Sequence, residues 1–184
     1  MSKEIIFNNL MKYVVEDYGQ ENVDKFVNWI KTDTYYLTAP ASTRYHNNFE
    51  GGLLKHCINV TNLLIKHNAI LGKPFKMSDV VIAGLFHDLG KGHKEYYIKT
   101  KTGKYKYGPI VKEVQHAVLS KEALENHFPV KLSDELLEAV LIHNGMYTND
   151  GYMIFKNHKH SLLAWVLHSC DMISLKIEKV EKDG

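Results

Sequence analysis

Six side chains able to hold a metal ion recur along the chain: His56, the adjacent pair His87 and Asp88, His116, His143 and Asp171. They fall at intervals of roughly 30 residues, about one helix plus one connection, so in an antiparallel helical bundle they converge on one level of the core. Each lies in an apolar neighbourhood. Leu54 precedes His56, Leu85 and Phe86 precede His87, Leu141 and Ile142 precede His143, and Met172 and Ile173 follow Asp171. Buried there, an imidazole or a carboxylate is costly unless it finds a partner. A shared cation is such a partner, and Asp88, with two carboxylate oxygens, is able to bridge two ions about 3.5 to 4 Å apart. The donors are imidazole and carboxylate without thiolate, which suits Mn²⁺, Fe, Co²⁺, Ni²⁺ or Zn²⁺ in a reactive site rather than a structural zinc.

Two ions of this kind would activate a water molecule by lowering its pKa and neutralise negative charge on substrate oxygens, those of a phosphate ester among them. Three further residues have the chemistry to assist. Lys91, between Gly90 and Gly92 just past Asp88, offers an ammonium to a phosphate oxygen; the alternative is a solvated lysine at a helix end. Arg44 and His46 precede the first ligand helix in TDTYYLTAPASTRYHNNFEGG. The arginine suits bidentate phosphate binding and the histidine suits a general acid to the leaving oxygen, against the alternative that both are exposed loop residues.

The positioning elements follow from periodicity and caps. Helices are expected over 3–18 (capped by Ser2, stopped at Gly19), 21–31, 53–71, 79–89 (capped by Ser78), 111–127, 134–143 (capped by Ser133) and 161–180. Between 96 and 108, lysines alternate with Ile98, Tyr105 and Tyr107 around Thr102-Gly103, which reads as a hairpin. Its lysines suit either a solvated edge or a lid over a nucleotide base. Trp29 and Trp165 read as core anchors and Cys57 and Cys170 as reduced core thiols. His168, one turn before Asp171, suits a supporting role, whereas His67, His93, His127, His158 and His160 stand outside the pattern.

The order His, His-Asp, His, His, Asp, with HDLGK preceded by GGLLKH and followed by CDMIS, resembles the HD-domain superfamily of metal-dependent phosphohydrolases over about residues 35–180. The segment APASTRYHNNFEGGLLKH is similar to the HD domains of bacterial 3′ to 5′ exoribonucleases, without the OB module that accompanies them. The resemblance implies an all-α HD bundle with the hairpin as a small insertion and residues 1–34 as a helical appendage. It implies hydrolysis of a nucleotide or short-oligonucleotide phosphate ester, with His56, His87, Asp88, His116, His143 and Asp171 as metal ligands; having both His116 and His143 implies two ions. Relatives that cleave cyclic dinucleotides carry a paired histidine and a GYP motif, whereas here Asn144 follows His143. The same ligand shell also serves iron, so a di-iron oxygenase is the alternative reaction class.

With 184 residues, 45% apolar and 24% charged, the chain is expected to form one domain. A formal net charge of +2 is too small to imply a polyanion coat or a membrane surface. Eleven histidines beside only four prolines agree with metal or acid-base chemistry. No apolar run approaches the roughly 18 residues of a membrane span, and MSKEIIFNNL has no signal-peptide pattern. A cytoplasmic protein is expected, with the amphipathic first helix as a surface for pairing with a second copy.

Overall fold

The computed structural model describes residues 2–145 and 160–183. Among these, seven α-helices and one two-stranded hairpin follow in the order α1 (Lys3–Tyr18), α2 (Gln20–Asp33), α3 (Gly52–Ile70), α4 (Met77–Phe86), β1 (Tyr97–Lys99), β2 (Tyr105–Tyr107), α5 (His116–His127), α6 (Asp134–Ile142) and α7 (Leu162–Asp183). This is the all-α bundle with a small hairpin expected from the sequence. Short 3₁₀ turns cover Leu89–Gly92 and Pro109–Lys112.

Local chemistry explains most of the boundaries. Ser2 caps α1 by accepting from Ile5 N, and Ser133 caps α6 by accepting from Leu136 N at 3.2 Å. Gly19, with φ of 80°, ends α1 and opens α2. Two expectations are corrected. Ser78 does not cap α4, whose N-cap is Lys76; it is buried inside the first turn and donates to Asp17 of α1. The helix expected over 111–127 is broken, because Gln115 is extended and α5 starts only at His116.

α4 is buried on nearly every side from Val80 to Phe86, the pattern of a helix in the middle of a bundle. α1 and α3 pack against it, and α7 packs against α3 and α6. The buried Phe7, Leu10, Met11 and Val14 of α1 are thereby used within the chain, so the apolar face that suggested self-pairing is already covered. An aromatic cluster locks this layer: Phe86 meets Phe26 at 5.2 Å and Phe7 at 6.3 Å, both edge-on. Trp29 stacks on His127 with ring centres 3.9 Å apart. Trp165, expected in the core, is 44% exposed on α7. Cys57 and Cys170 are buried and unpaired. No helix among the described residues is long and apolar enough to cross a membrane.

Residues 34–51 wrap the side of α4. Tyr36 is fully buried and its hydroxyl donates to Leu85 O, Tyr35 N donates to Gly92 O at 2.7 Å, and Leu53 N donates to Ala39 O at 3.0 Å. The connector is therefore fastened to the turn after α4 and to the start of α3, the two elements that carry the first histidines.

Candidate metal centre

Asp88 is at the middle of the site. His87 keeps helical dihedrals and its backbone N–H donates to Ala83 O as the C-cap of α4, Asp88 departs from the helix with φ of −102° and ψ of 15°, and both side chains are almost wholly buried. Asp88 Oδ2 lies 3.7 Å from His56 Nε2 and 3.6 Å from His87 Nε2. Asp171 Oδ1 joins the same side, 3.1 Å from His56 Nε2 and 4.0 Å from His87 Nε2. The other oxygen, Oδ1, faces a second pair: His116 Nε2 at 3.1 Å and His143 Nε2 at 3.4 Å. The carboxylate thus separates two half-sites and belongs to both.

The spacing fits a shared cation most closely in the second half-site, at 3.1 and 3.4 Å, and at the 3.1 Å His56–Asp171 pair of the first, whose 3.6 to 4.0 Å separations are otherwise wider. Two donors each about 2.1 Å from one ion stand about 3.0 to 3.4 Å apart in octahedral or tetrahedral geometry. The bonding pattern agrees, because His87 Nε2, His143 Nε2 and Asp88 Oδ1 are all buried and none forms a hydrogen bond. Buried polar atoms left unsatisfied in a native core call for an explanation, and a shared ion supplies one for these three. His56, His87 and Asp88, and Asp88, His116 and His143, are two of the groupings whose donor atoms are close enough to hold an ion.

The remaining ring nitrogens aim those donors. His87 Nδ1 lies 2.9 Å from Gly84 O and His143 Nδ1 lies 2.6 Å from Val140 O, each reaching back along its own helix. Donation to those carbonyls puts the proton on Nδ1 and leaves the Nε2 lone pair for an ion. His56 Nδ1 instead faces both oxygens of Glu178 at 3.2 Å. Glu178 is buried on α7 and receives Asn59 Nδ2 at 2.9 Å and Ser174 Oγ at 3.0 Å. His116 Nδ1 lies 3.4 Å from the Tyr96 hydroxyl, and His168 Nδ1 lies 2.6 Å from His143 O.

Electrostatics holds His87, His116, Asp88 and Asp171 in ligating form, with His56 the exception. Burial pushes His87 and His116 down to about 4, so both are neutral near pH 7. Burial works against ionisation of Asp88 and Asp171. The Lys91 ammonium with His87 outweighs it for Asp88, and His56 does so for Asp171, holding both below the usual carboxylate range. In the metal-free chain burial also opposes a charge on His56, yet Asp171 and Glu178 together raise it to about 10. A divalent ion held at its Nε2 would take the place of that proton.

A missing side chain lets the two halves meet. A Cβ on Gly90 would stand 2.2 Å from His116 O and 2.7 Å from Leu119 Cβ, so only glycine lets the Leu89–Gly92 turn lie against the start of α5. Gly90 N then donates to Ser120 Oγ at 2.8 Å.

The other three site residues read from the sequence have different settings. Lys91 donates to Asp88 Oδ2 at 2.7 Å and also lines a neighbouring cleft of about 510 Å³ with Tyr35, Tyr97 and Lys99. His46 is buried, not an exposed loop residue; its ring centre is 5.1 Å from that of His56, and burial together with His56 and Lys91 pushes it down to about 4. It is uncharged at neutral pH, which suits sharing a hydrogen bond rather than donating a proton as an imidazolium. Arg44 is exposed and lines a surface pocket with Tyr45, Lys106 and Tyr107.

The sequence reading missed Glu178, Tyr96 and the two carbonyls. Glu178 lies two helical turns after Asp171 on the inward face of α7, so extending that face was the available signal. Of the histidines outside the pattern, His160 lies 3.0 Å from Glu138 and His67 lies 2.9 Å from Leu63 O, both packing contacts. His158 lies outside the described residues.

A family model for the HD domain matches residues 53–175, and the chain belongs to that family. All six clustered side chains fall within the match, while Arg44 and His46 precede it. HD domains bind divalent metals, and the clustered groups here are able to hold them. The chain is similar to a dihydroneopterin 2′,3′-cyclic phosphate phosphodiesterase of Methanocaldococcus jannaschii, with 29% identity over 147 residues that take in 77% of this chain and 53% of the relative. The chain thus spans about half the length of the curated relative it matches. No solved structure matches.

Proposed function

We propose that this chain is a metal-dependent phosphohydrolase that cleaves a phosphate ester, and preferentially a diester, of a nucleotide or short oligonucleotide. The observation that carries the reading is the division of Asp88 between two imidazole pairs, Oδ2 toward His56 and His87 and Oδ1 toward His116 and His143. Preference for a diester is supported by the name of the M. jannaschii relative, a cyclic phosphate phosphodiesterase. Two free buried thiols agree with a reducing compartment such as the cytoplasm.

His56, His87, Asp88 and Asp171 would hold one divalent ion, and Asp88, His116 and His143 a second. Bound there, such ions supply a water acidic enough to attack at neutral pH and positive charge for the phosphoryl oxygens. Glu178 and the Gly84 and Val140 carbonyls keep the imidazoles aimed, so little rearrangement is needed on binding. Lys91, held at Asp88 and bordering the adjacent cleft, meets a phosphoryl oxygen as charge builds there. Arg44 serves a phosphate at the rim as a bidentate donor. His46 packs against His56 and remains uncharged.

The test is a turnover screen of mononucleotides, 2′,3′- and 3′,5′-cyclic nucleotides and short RNA and DNA, with Mn²⁺, Co²⁺, Ni²⁺, Fe²⁺ and Mg²⁺ added in turn. Release of a phosphomonoester from at least one diester, abolished by chelation and restored by metal, is expected. No turnover of any phosphate ester with any ion would overturn the proposal.

A further inference from the structure

Exposed apolar side chains gather on one side of the metal-ligating cluster. Tyr45, Tyr107, Ile173 and Ile177 are 64%, 49%, 41% and 46% exposed. All four line one cleft of about 920 Å³. Its floor reaches the cluster, since Asn144, also in its lining, puts Nδ2 2.9 Å from His116 Nε2, and Met172 directly follows Asp171.

The two aromatic walls are built differently. Tyr107 is backed by other rings: it stacks on Tyr97 at 5.8 Å and 24°, meets Tyr96 edge-on at 6.2 Å, and pairs with Tyr97 across the hairpin. Its exposed face is therefore a firm, flat surface. Tyr45 carries the Lys179 ammonium 5.8 Å over its ring centre, so its π face already holds a cation. Lys176 adds a second positive charge to the lining.

Two phenol rings and branched aliphatic side chains, with Asn144 joining the cleft to His116 of the cluster, suit a molecule with a flat unsaturated ring at one end and a phosphate at the other. Volume points the same way. Small-molecule pockets run from about 300 to 1,000 Å³, and this cleft lies near the top of that range, far larger than a phosphate group alone requires.

Resting on the phosphate-ester reading above, we infer that this cleft holds the heteroaromatic ring of the substrate, stacked on Tyr107 and Tyr45, so that the chain selects base-bearing phosphate esters over ring-free ones. The hairpin that carries Tyr107 is then a specificity element. Its lysines face solvent while Tyr107, backed by Tyr97 and Tyr96, builds the wall.

Binding and turnover test this separately. Adenosine 3′-monophosphate and inorganic phosphate are each titrated calorimetrically into the Mn²⁺-supplemented protein. The nucleotide is expected to bind more tightly than phosphate, and Tyr107→Ala and Tyr45→Ala each weaken it by about 5- to 100-fold, the range for loss of one stacking partner. Phosphate affinity stays unchanged, Tyr107→Phe matches the native chain, and Tyr13→Ala on α1 has no effect. Equal nucleotide affinity for the native chain and both alanine variants, with helicity intact by circular dichroism, overturns the inference. Tyr45→Ala keeps the test open if Tyr107→Ala does not fold.

In turnover, kcat/KM for adenosine 2′,3′-cyclic phosphate drops in the alanine variants while that for 1-O-methylribose 2′,3′-cyclic phosphate holds. An equal drop for both overturns the inference. If neither ester turns over yet nucleotide binding depends on Tyr107, the hydrolase reading fails and the ring site stands.

Discussion

Glu178 sets both carboxylate oxygens 3.2 Å from His56 Nδ1, joining the last helix to the first ligand helix across 122 residues of sequence. The pair fixes which imidazole nitrogen faces the cluster and makes that nitrogen a better donor. Glu178→Gln preserves the shape and removes the charge. Metal affinity, measured by competition with a chromophoric chelator, is expected to fall about 10- to 100-fold. Unchanged affinity would reduce Glu178 to a packing residue.

Lys91 donates to the central carboxylate of the cluster, at 2.7 Å from Asp88 Oδ2. If its ammonium meets charge developing on phosphorus, Lys91→Ala lowers kcat by about 10²- to 10³-fold. Metal content by elemental analysis stays level. Lys91→Arg fails to restore the rate, because a planar fork cannot replace a compact point charge in this packed turn. Full activity in Lys91→Ala would leave the lysine only its ion pair with Asp88.

The metal-free chain has a stability profile of defined shape. Burial depresses His87 and His116 to about 4, so the stability tied to them is complete above the ordinary imidazole pKa of about 6.5 and is lost as pH falls toward 4. His56 runs the other way. Despite burial, Asp171 and Glu178 raise it to about 10, so its contribution is complete below about 6.5 and is lost as pH rises through 10. The melting temperature of chelator-treated protein therefore peaks near pH 6.5 and declines on both sides. Mn²⁺ at 100 times its Kd adds about 2.7 kcal/mol, or roughly 5 to 10 °C for a domain of this size, and flattens the alkaline side, since His56 Nε2 then holds an ion instead of a proton. Differential scanning fluorimetry from pH 4 to 10 reads both effects; a metal-free profile without an alkaline decline would contradict the His56 account.

The six clustered side chains were legible because imidazoles and carboxylates are rare inside apolar runs and each needs a reason to be there. Their supports were not. Gly84 O and Val140 O are backbone atoms that any residue supplies, and Glu178 sits in a run of lysine and glutamate that reads as a solvated helix end. Helix spacing was legible in α1, whose inward face is Phe7, Leu10, Met11 and Val14. The end of α4 was read three residues too late. Nothing local marks Phe86 as its last residue; the turn into Asp88 is imposed by packing of the following segment on α5.

That packing has a further consequence. Because Gly90 lacks a β-carbon, backbone touches backbone between the Leu89–Gly92 turn and the first residues of α5. Gly90→Ala would wedge α5 outward and carry His116 off its oxygen of Asp88, while His56, His87 and Asp171 stay seated on other elements. A single methyl group, added where none of the six side chains is altered, would thereby dismantle one of the two proposed half-sites and spare the other.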